Sequence, residues 1–113
     1  MKKKILNIIK SKNKKKLVCL TAYSKPFAKI LDKHCDIILV GDSLAMAMYG
    51  MNNTHQVNIE MMIRHGISVK SNVTKALCVV DMPKNSYKTI YQAKKNAKLL
   101  FNKTKCDAVK IEC

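Results

Sequence analysis

The chain has 113 residues, 48% of them hydrophobic, and a formal net charge of +15. That length and usage suit one domain with a real core and exclude a disordered chain. No apolar run approaches the roughly 18 residues of a membrane helix, and the lysine-rich start lacks the apolar core and cleavage site of a secretory signal, so a cytoplasmic location is expected.

The predicted elements follow in chain order. Residues 4–16 read as a short basic amphipathic helix with Ile5, Ile8 and Ile9 at helical spacing. A first strand covers 17–21. Residues 24–34 read as a helix with Ser24 as its N-cap and Phe27, Ile30 and Leu31 on one face. A second strand, 36–41, leads into DSLAMAMYG and a loop over 48–57. Residues 58–72 read as a helix packed through Ile59, Met62, Ile63 and Ile67, and the third strand is 76–80. A loop and a long helix within 82–105 carry a stripe of Ile90, Ala93, Ala97 and Phe101, and the fourth strand is 107–111. Continuously apolar strands such as IILV and ALCVV belong to a parallel sheet covered on both faces, so the class is α/β.

Charge and cysteines limit the function classes. A net charge of +15 invites a nucleic-acid reading through phosphate neutralisation. Yet the charge is nearly all lysine, with Arg64 the only arginine, and aromatics interleaved with basic residues are missing. A small basic binding protein for nucleic acid or an acidic partner is the alternative reading. The five cysteines at 19, 35, 78, 106 and 113 include no C-x-x-C pair, which excludes a zinc site of that kind, and they are expected to be reduced, mostly as small buried hydrophobes.

The acids are few, which makes their placement informative. Asp42, Asp81 and Glu112 each fall at or just past the end of a predicted strand, so parallel strands bring all three to one rim, where α/β folds build their sites. Three convergent carboxylates repel unless a cation lies between them, and oxygen ligands suit a hard divalent ion such as Mg²⁺. The plainer reading is that each caps a helix or a loop. Lys110 shares a strand face with Glu112 and offers a cation to an anionic substrate. Asp32, Asp36, Glu60 and Asp107 lie in helices or at strand entrances and read as solvent or capping positions. Thr21 and Tyr23 end the first strand on the same rim, as pocket wall or ordinary packing. Arg64 and the histidines 34, 55 and 65 read as surface or packing residues.

These residues also carry a resemblance. LTAYSKPFAKILDKHCDIILVGDSLAMAMYG, MMIRHGISV, ALCVVDMP, NSY and AVKIE, in that order from about Ile5 to Glu112, resemble the N-terminal part of the ketopantoate hydroxymethyltransferase family. The resemblance implies the N-terminal half of a (β/α)8 TIM barrel and transfer of a hydroxymethyl group from 5,10-methylenetetrahydrofolate to 3-methyl-2-oxobutanoate, giving 2-dehydropantoate in pantothenate biosynthesis. It implies Mg²⁺ held by Asp42, Asp81 and Glu112, the last directly or through water. It implies substrate contacts from Asp42, Ser43, Asp81 and Lys110, with the metal acting as a Lewis acid while a general base removes the proton at C3. The family forms homo-oligomers.

The chain departs from the family pattern in three places and in length. Ser24 stands for an aspartate after TAY, Ala45 for a glycine that can allow positive φ, and His55-Gln56-Val57 for LPV. A complete barrel takes about 250 residues. The family's catalytic glutamate and a substrate-binding histidine belong to the second half, so no catalytic base is assigned within 1–113. The expectation is a single incomplete domain over 1–113, opened by a basic N-terminal helix over 1–16. Such a chain would be a truncated gene product, half of a split enzyme or a fragment of a longer chain, inactive alone, with a complementing C-terminal half as one partner to expect.

Overall fold

The computed structural model describes residues 2–112. Its first helix, α1 (Lys2–Lys10), is shorter than expected. Beyond it Ser11 bonds back to the Asn7 carbonyl and Asn13 takes a φ of 61°, so the lysine run leaves the helix in turns. Strand β1 (Cys19–Thr21) and helix α2 (Lys25–Leu31) follow, then β2 (Ile37–Val40). A short helix that the sequence reading did not separate, α3 (Leu44–Tyr49), starts immediately after the GDS turn. Helix α4 (Ile59–Lys70), β3 (Leu77–Asp81), α5 (Ile90–Thr104) and β4 (Ala108–Lys110) complete the order.

The four strands are parallel and adjacent in the order β1-β2-β3-β4. Their register sets Leu20 beside Ile38, Ile38 beside Cys78, and Val80 beside Val109. On that face Ile38, Val40, Cys78 and Val80 are fully buried, beneath helices that include α4 and α5. The other face, with Cys19, Thr21, Ile37, Leu39, Val79 and Ala108, is largely half-buried or exposed. Helices thus lie on one side of the sheet, as the half-barrel expectation has it. Sequential parallel strands with helices on one side form the first half of a (β/α)8 barrel, in which the uncovered face is the one that lines the interior. A doubly wound order of 2-1-3-4 is ruled out.

Several helices turn a different face inward than the bulky residues suggest. On α2 the buried residue is Ala28, whereas Phe27 and Ile30 are 63% and 60% exposed. On α5 Leu100 and Thr104 are buried, while Ile90 and Phe101 are exposed. On α4 Met62, Ile63, Gly66 and Val69 are buried and Ile67 is exposed. The reason is close approach. A Cβ built on Gly66 would lie 2.7 Å from Thr104 Cγ2, so α4 and α5 meet where one side chain is absent. Small residues mark such contacts, and periodicity of large ones does not. Each large aliphatic side chain fully buried below, such as Ile38, Leu44 or Leu100, contributes about 1.5–3 kcal/mol.

Helix starts are fixed locally. Asn58 accepts from Met61 N and Thr89 from Gln92 N, each satisfying an unpaired first-turn amide. Ser24 holds the N-cap position of α2 with extended backbone but makes no side-chain cap bond.

Three aspartates fasten the strand entrances. Asp32, at the end of α2, accepts from the backbone amides of Thr74, Lys75 and Ala76 and from the Thr74 hydroxyl. Asp107, entering β4, accepts from Cys78 N and from Lys70 Nζ at 2.8 Å. Asp36, entering β2, accepts from Val18 N and Lys15 Nζ. Asp32 and Asp107 are buried and bond backbone amides, so of the two readings, solvent or capping, the capping one fits them. Only Glu60 fits the solvent reading, paired with Arg64 on the exposed side of α4. Among the cysteines, Cys35, Cys78 and Cys106 are buried and free, and Cys19 on the β1 edge is exposed. Burial pushes the Cys78 thiol up to about 12. Cys113 lies outside the described residues.

Candidate metal centre

The opposite rim is built from three strand exits. β2 ends at Val40, and the turn Gly41-Asp42-Ser43 follows directly into α3. Glycine at the first position of the turn leaves room for the Ser43 hydroxyl. A Cβ on Gly41 would lie 2.8 Å from Ser43 Oγ, with Asp81 Oδ2 and Thr21 Cγ2 each at 3.7 Å. Asp81 is the last residue of β3, and the register places Lys110, the last of β4, directly beside it. Glu112 follows two residues later.

Asp42, Asp81 and Glu112 each offer an oxygen within 4.8 Å of the others, and they are the one such acidic, histidine or cysteine group among the described residues. Asp81 Oδ2 accepts from Asp42 N at 3.1 Å. Asp81 Oδ1 is buried and accepts no well-aligned hydrogen bond, although Lys110 Nζ lies 3.2 Å away. The same ammonium contacts Glu112 at 2.5 Å. Both Asp42 and Asp81 hold their protons above the ordinary carboxylate range. For Asp42 the cause is burial first, then the neighbouring Asp81 and Glu112 carboxylates. For Asp81 burial outweighs the bonds from Asp42 N and Lys110. Burial acts to lower the Lys110 value, but the Glu112 and Asp81 carboxylates overcome it and raise it.

The arrangement suits a divalent cation. Three carboxylates against one ammonium leave a formal charge of −3 + 1 = −2, which such an ion neutralises. Two carboxylates about 5 Å apart repel by about 3 kcal/mol at the dielectric of a protein surface, and a cation between them reverses that sign. The donors are all oxygen, the preference of a hard ion. The buried Asp81 Oδ1, which meets only the Lys110 ammonium and at poor hydrogen-bond geometry, is the atom such an ion would pair.

Of the residues expected at the rim, Asp42, Ser43, Asp81, Lys110 and Glu112 come together. Tyr23 joins them, its hydroxyl 2.8 Å from Ser43 Oγ, and Thr21 lies against Gly41. Ser43 makes no helix-cap bond, so its hydroxyl is free of that role. Ala45 sits fully buried within α3 and is not among the residues of positive φ, so the glycine it replaces is not needed for backbone strain here. His34 is exposed, and His55 contacts Lys84. His65 is different. It contacts the Tyr23 carbonyl and the Tyr49 hydroxyl, and the sequence reading missed it as part of the rim. No local signal marked it, since both partners come from other segments of the chain.

Fold and rim together define a barrel-type α/β chain with an acidic, lysine-bearing cluster at the strand exits. The family model for ketopantoate hydroxymethyltransferase matches residues 2–113, and the chain belongs to that family. It is 54% identical over 112 residues to 3-methyl-2-oxobutanoate hydroxymethyltransferase of Pelagibacter ubique, covering 99% of this chain and 44% of the relative. The proteins of the same name from Anaplasma marginale (strain St. Maries) and Rhizobium etli are 53% and 52% identical, over 96% and 89% of this chain and 39% and 37% of their own lengths. The chain thus spans less than half the length of these relatives. Membership does not favour the basic binding-protein reading. No helix among the described residues is long and apolar enough to cross a membrane.

Proposed function

We propose that this chain supplies the cation- and keto-acid-binding half of a hydroxymethyltransferase site, in which a one-carbon unit passes from 5,10-methylenetetrahydrofolate to 3-methyl-2-oxobutanoate, giving 2-dehydropantoate for pantothenate biosynthesis. The observation that carries this reading is the convergence of Asp42, Asp81 and Glu112 beside a single ammonium, Lys110, in a member of this family.

Asp42 and Asp81 would hold Mg²⁺ directly, and the more exposed Glu112 directly or through water. The bound ion supplies Lewis acidity at the substrate's keto group. Lys110 draws the substrate carboxylate to the rim, and the Ser43 hydroxyl, beside Asp42, donates to a substrate oxygen. Asp42 and Asp81 fix the orientation of both. The proton at C3 still needs an acceptor. Of the chain's seven acids, three stand at this rim, three fasten the opposite rim and Glu60 pairs with Arg64. No carboxylate is left for the base. We therefore assign proton transfer to residues outside this sequence and expect the 113-residue polypeptide to be inactive alone, because positioned proton transfer is worth about 10² to 10⁴ in rate.

The open edges at β1 and β4 favour a complementing C-terminal half, and assembly with further copies, as partners. Free buried thiols agree with a reducing, cytoplasmic setting. The test is hydrogen–deuterium exchange at C3 of 3-methyl-2-oxobutanoate with Mg²⁺, with and without the C-terminal half of a full-length relative. Exchange on mixing is expected. Metal-dependent exchange by the chain alone overturns the assignment of the base, and no exchange or substrate binding in either case overturns the shared site.

A further inference from the structure

Four residues form a linked series around the turn that carries Asp42, one link passing through a backbone carbonyl. Ser43 Oγ meets the Tyr23 hydroxyl at 2.8 Å, the Tyr23 carbonyl meets His65 Nδ1 at 2.7 Å, and His65 Nε2 meets the Tyr49 hydroxyl at 2.9 Å. Ser43 and Tyr49 flank and end the same helix, α3, so the series closes on itself. The tautomer follows from chemistry alone. A carbonyl can only accept, so Nδ1 carries the proton, and in the neutral ring Nε2 must accept from Tyr49. The rings of His65 and Tyr49 also meet edge to face, 5.7 Å apart at 79°.

We propose that His65 is a positioning residue for the Asp42–Ser43 turn: by holding the Tyr23 backbone from Nδ1 and the end of α3 through Tyr49, it fixes the point from which the Tyr23 hydroxyl holds Ser43 beside Asp42. This rests on the reading of Asp42 as a cation ligand. The physical case is one of constraint. α3 has only six residues and its N-cap serine makes no cap bond, so little inside the turn itself orients Ser43. Tyr23 is the side chain that does so, and Tyr23 follows the exposed edge strand β1, which pairs with β2 alone. His65 projects from α4, which packs against β2 and β3. It ties the residue that follows the edge strand to a helix packed over the inner strands. Partners one bond removed from a ligand set ligand orientation, and their loss typically weakens metal affinity by 10- to 100-fold.

The experiment uses the 113-residue chain with Mn²⁺ alone as probe, read by electron paramagnetic resonance, together with urea unfolding and long-range ¹H–¹⁵N spectra of the histidine rings. The variants are Tyr23→Phe, His65→Leu and His65→Asn. Wild type should show His65 protonated at Nδ1. Tyr23→Phe and His65→Leu should each weaken Mn²⁺ binding about 10-fold or more. His65→Asn, whose amide nitrogen takes the place of Nδ1–H, should recover most of it. A His65 protonated at Nε2 overturns the proposal. So does a set of variants that lose stability but bind Mn²⁺ like wild type, since that marks a mere structural crosslink. If wild type binds no Mn²⁺, the cation reading fails by itself, and positioning is then decided by the backbone amide shifts of Asp42 and Ser43. Movement of those shifts in Tyr23→Phe and His65→Leu but not in His65→Asn supports the proposal, and unchanged shifts overturn it.

Discussion

The two rims of the sheet use the same residue type to opposite ends. At the strand entrances Asp32, Asp36 and Asp107 are surrounded by donors: backbone amides of neighbouring strands and the ammonium groups of Lys15 and Lys70. At the strand exits Asp42 and Asp81 face each other and Glu112, with a single lysine among them. The entrance aspartates hold their carboxyls below the usual range. For Asp32 and Asp107 burial works against this but is outweighed by amide and lysine donors, and for Asp36 the Val18 amide leads. The exit aspartates are raised, by burial first. One rim is satisfied by the fold, and the other is left for a ligand to satisfy. This is the division between stability and chemistry that barrels make between their two ends.

The sharpest way to break that contrast is to remove an entrance carboxylate. Asp32→Ala strands three backbone amides at once, and with hydrogen bonds to a charged acceptor worth about 1.5–3 kcal/mol each before water enters, a loss of about 3–5 kcal/mol is expected. The check is a lower urea midpoint with an unchanged slope. Next in size is Gly41→Ala, whose methyl group would meet Ser43 Oγ; about 1–3 kcal/mol of stability should go, along with the contact between Ser43 and Tyr23. Mn²⁺ affinity should fall with it, measured by calorimetry.

The exit rim should behave the other way. Without divalent cations Asp42→Asn is expected to stabilise the chain by up to about 1 kcal/mol, because it removes repulsion from Asp81 and Glu112 that solvent at this half-exposed site partly screens, while abolishing Mg²⁺ binding. Stability against pH should show both rims. The entrance aspartates contribute stability that is present above the ordinary value of 3.8 and is lost as pH falls through their lowered values. The exit aspartates have raised values, so their contribution is full below 3.8 and is lost as pH rises through the raised range. Unfolding free energy in EDTA should therefore climb as pH rises through the lowered values toward 3.8 and then bend down, and Mg²⁺ should remove the downward bend. A bend that persists with Mg²⁺ would detach it from the exit cluster. The smallest effect belongs to Lys15→Ala, which removes a largely exposed partner of Asp36 and should cost less than about 1 kcal/mol.

How far the sequence announced this depends on the element. The strands were legible because IILV and ALCVV are continuous apolar runs, and the parallel order then placed Asp42, Asp81, Lys110 and Glu112 at one end with no further information. The helix faces were half legible. Phe27, Ile30, Ile90 and Phe101 have the right spacing but the wrong side, since close packing of helices selects Ala28 and Gly66 instead. Asp32 was unreadable as a buried fastener because its partners are backbone amides 42 to 44 positions away. His65 was unreadable for the same reason: its partners, the Tyr23 carbonyl and Tyr49, come from two other segments.

Each strand of this sheet pairs only with the strands next to it in sequence. Such a sheet can form and open one unit at a time, from its ends inward, as arrays of repeats do. Amide exchange should then be slowest in β2 and β3, which are flanked on both sides, and fastest in β1 and β4. The candidate ligands divide along that gradient. Asp42 and Asp81 ride on the two inner strands, whereas Glu112 and Lys110 ride on the outermost one, so the cluster has two fixed members and two that can swing away when the last strand frays. Affinity for a cation is then partly a measure of how firmly β4 is held, and any partner that pairs with its free edge would tighten the centre without touching it.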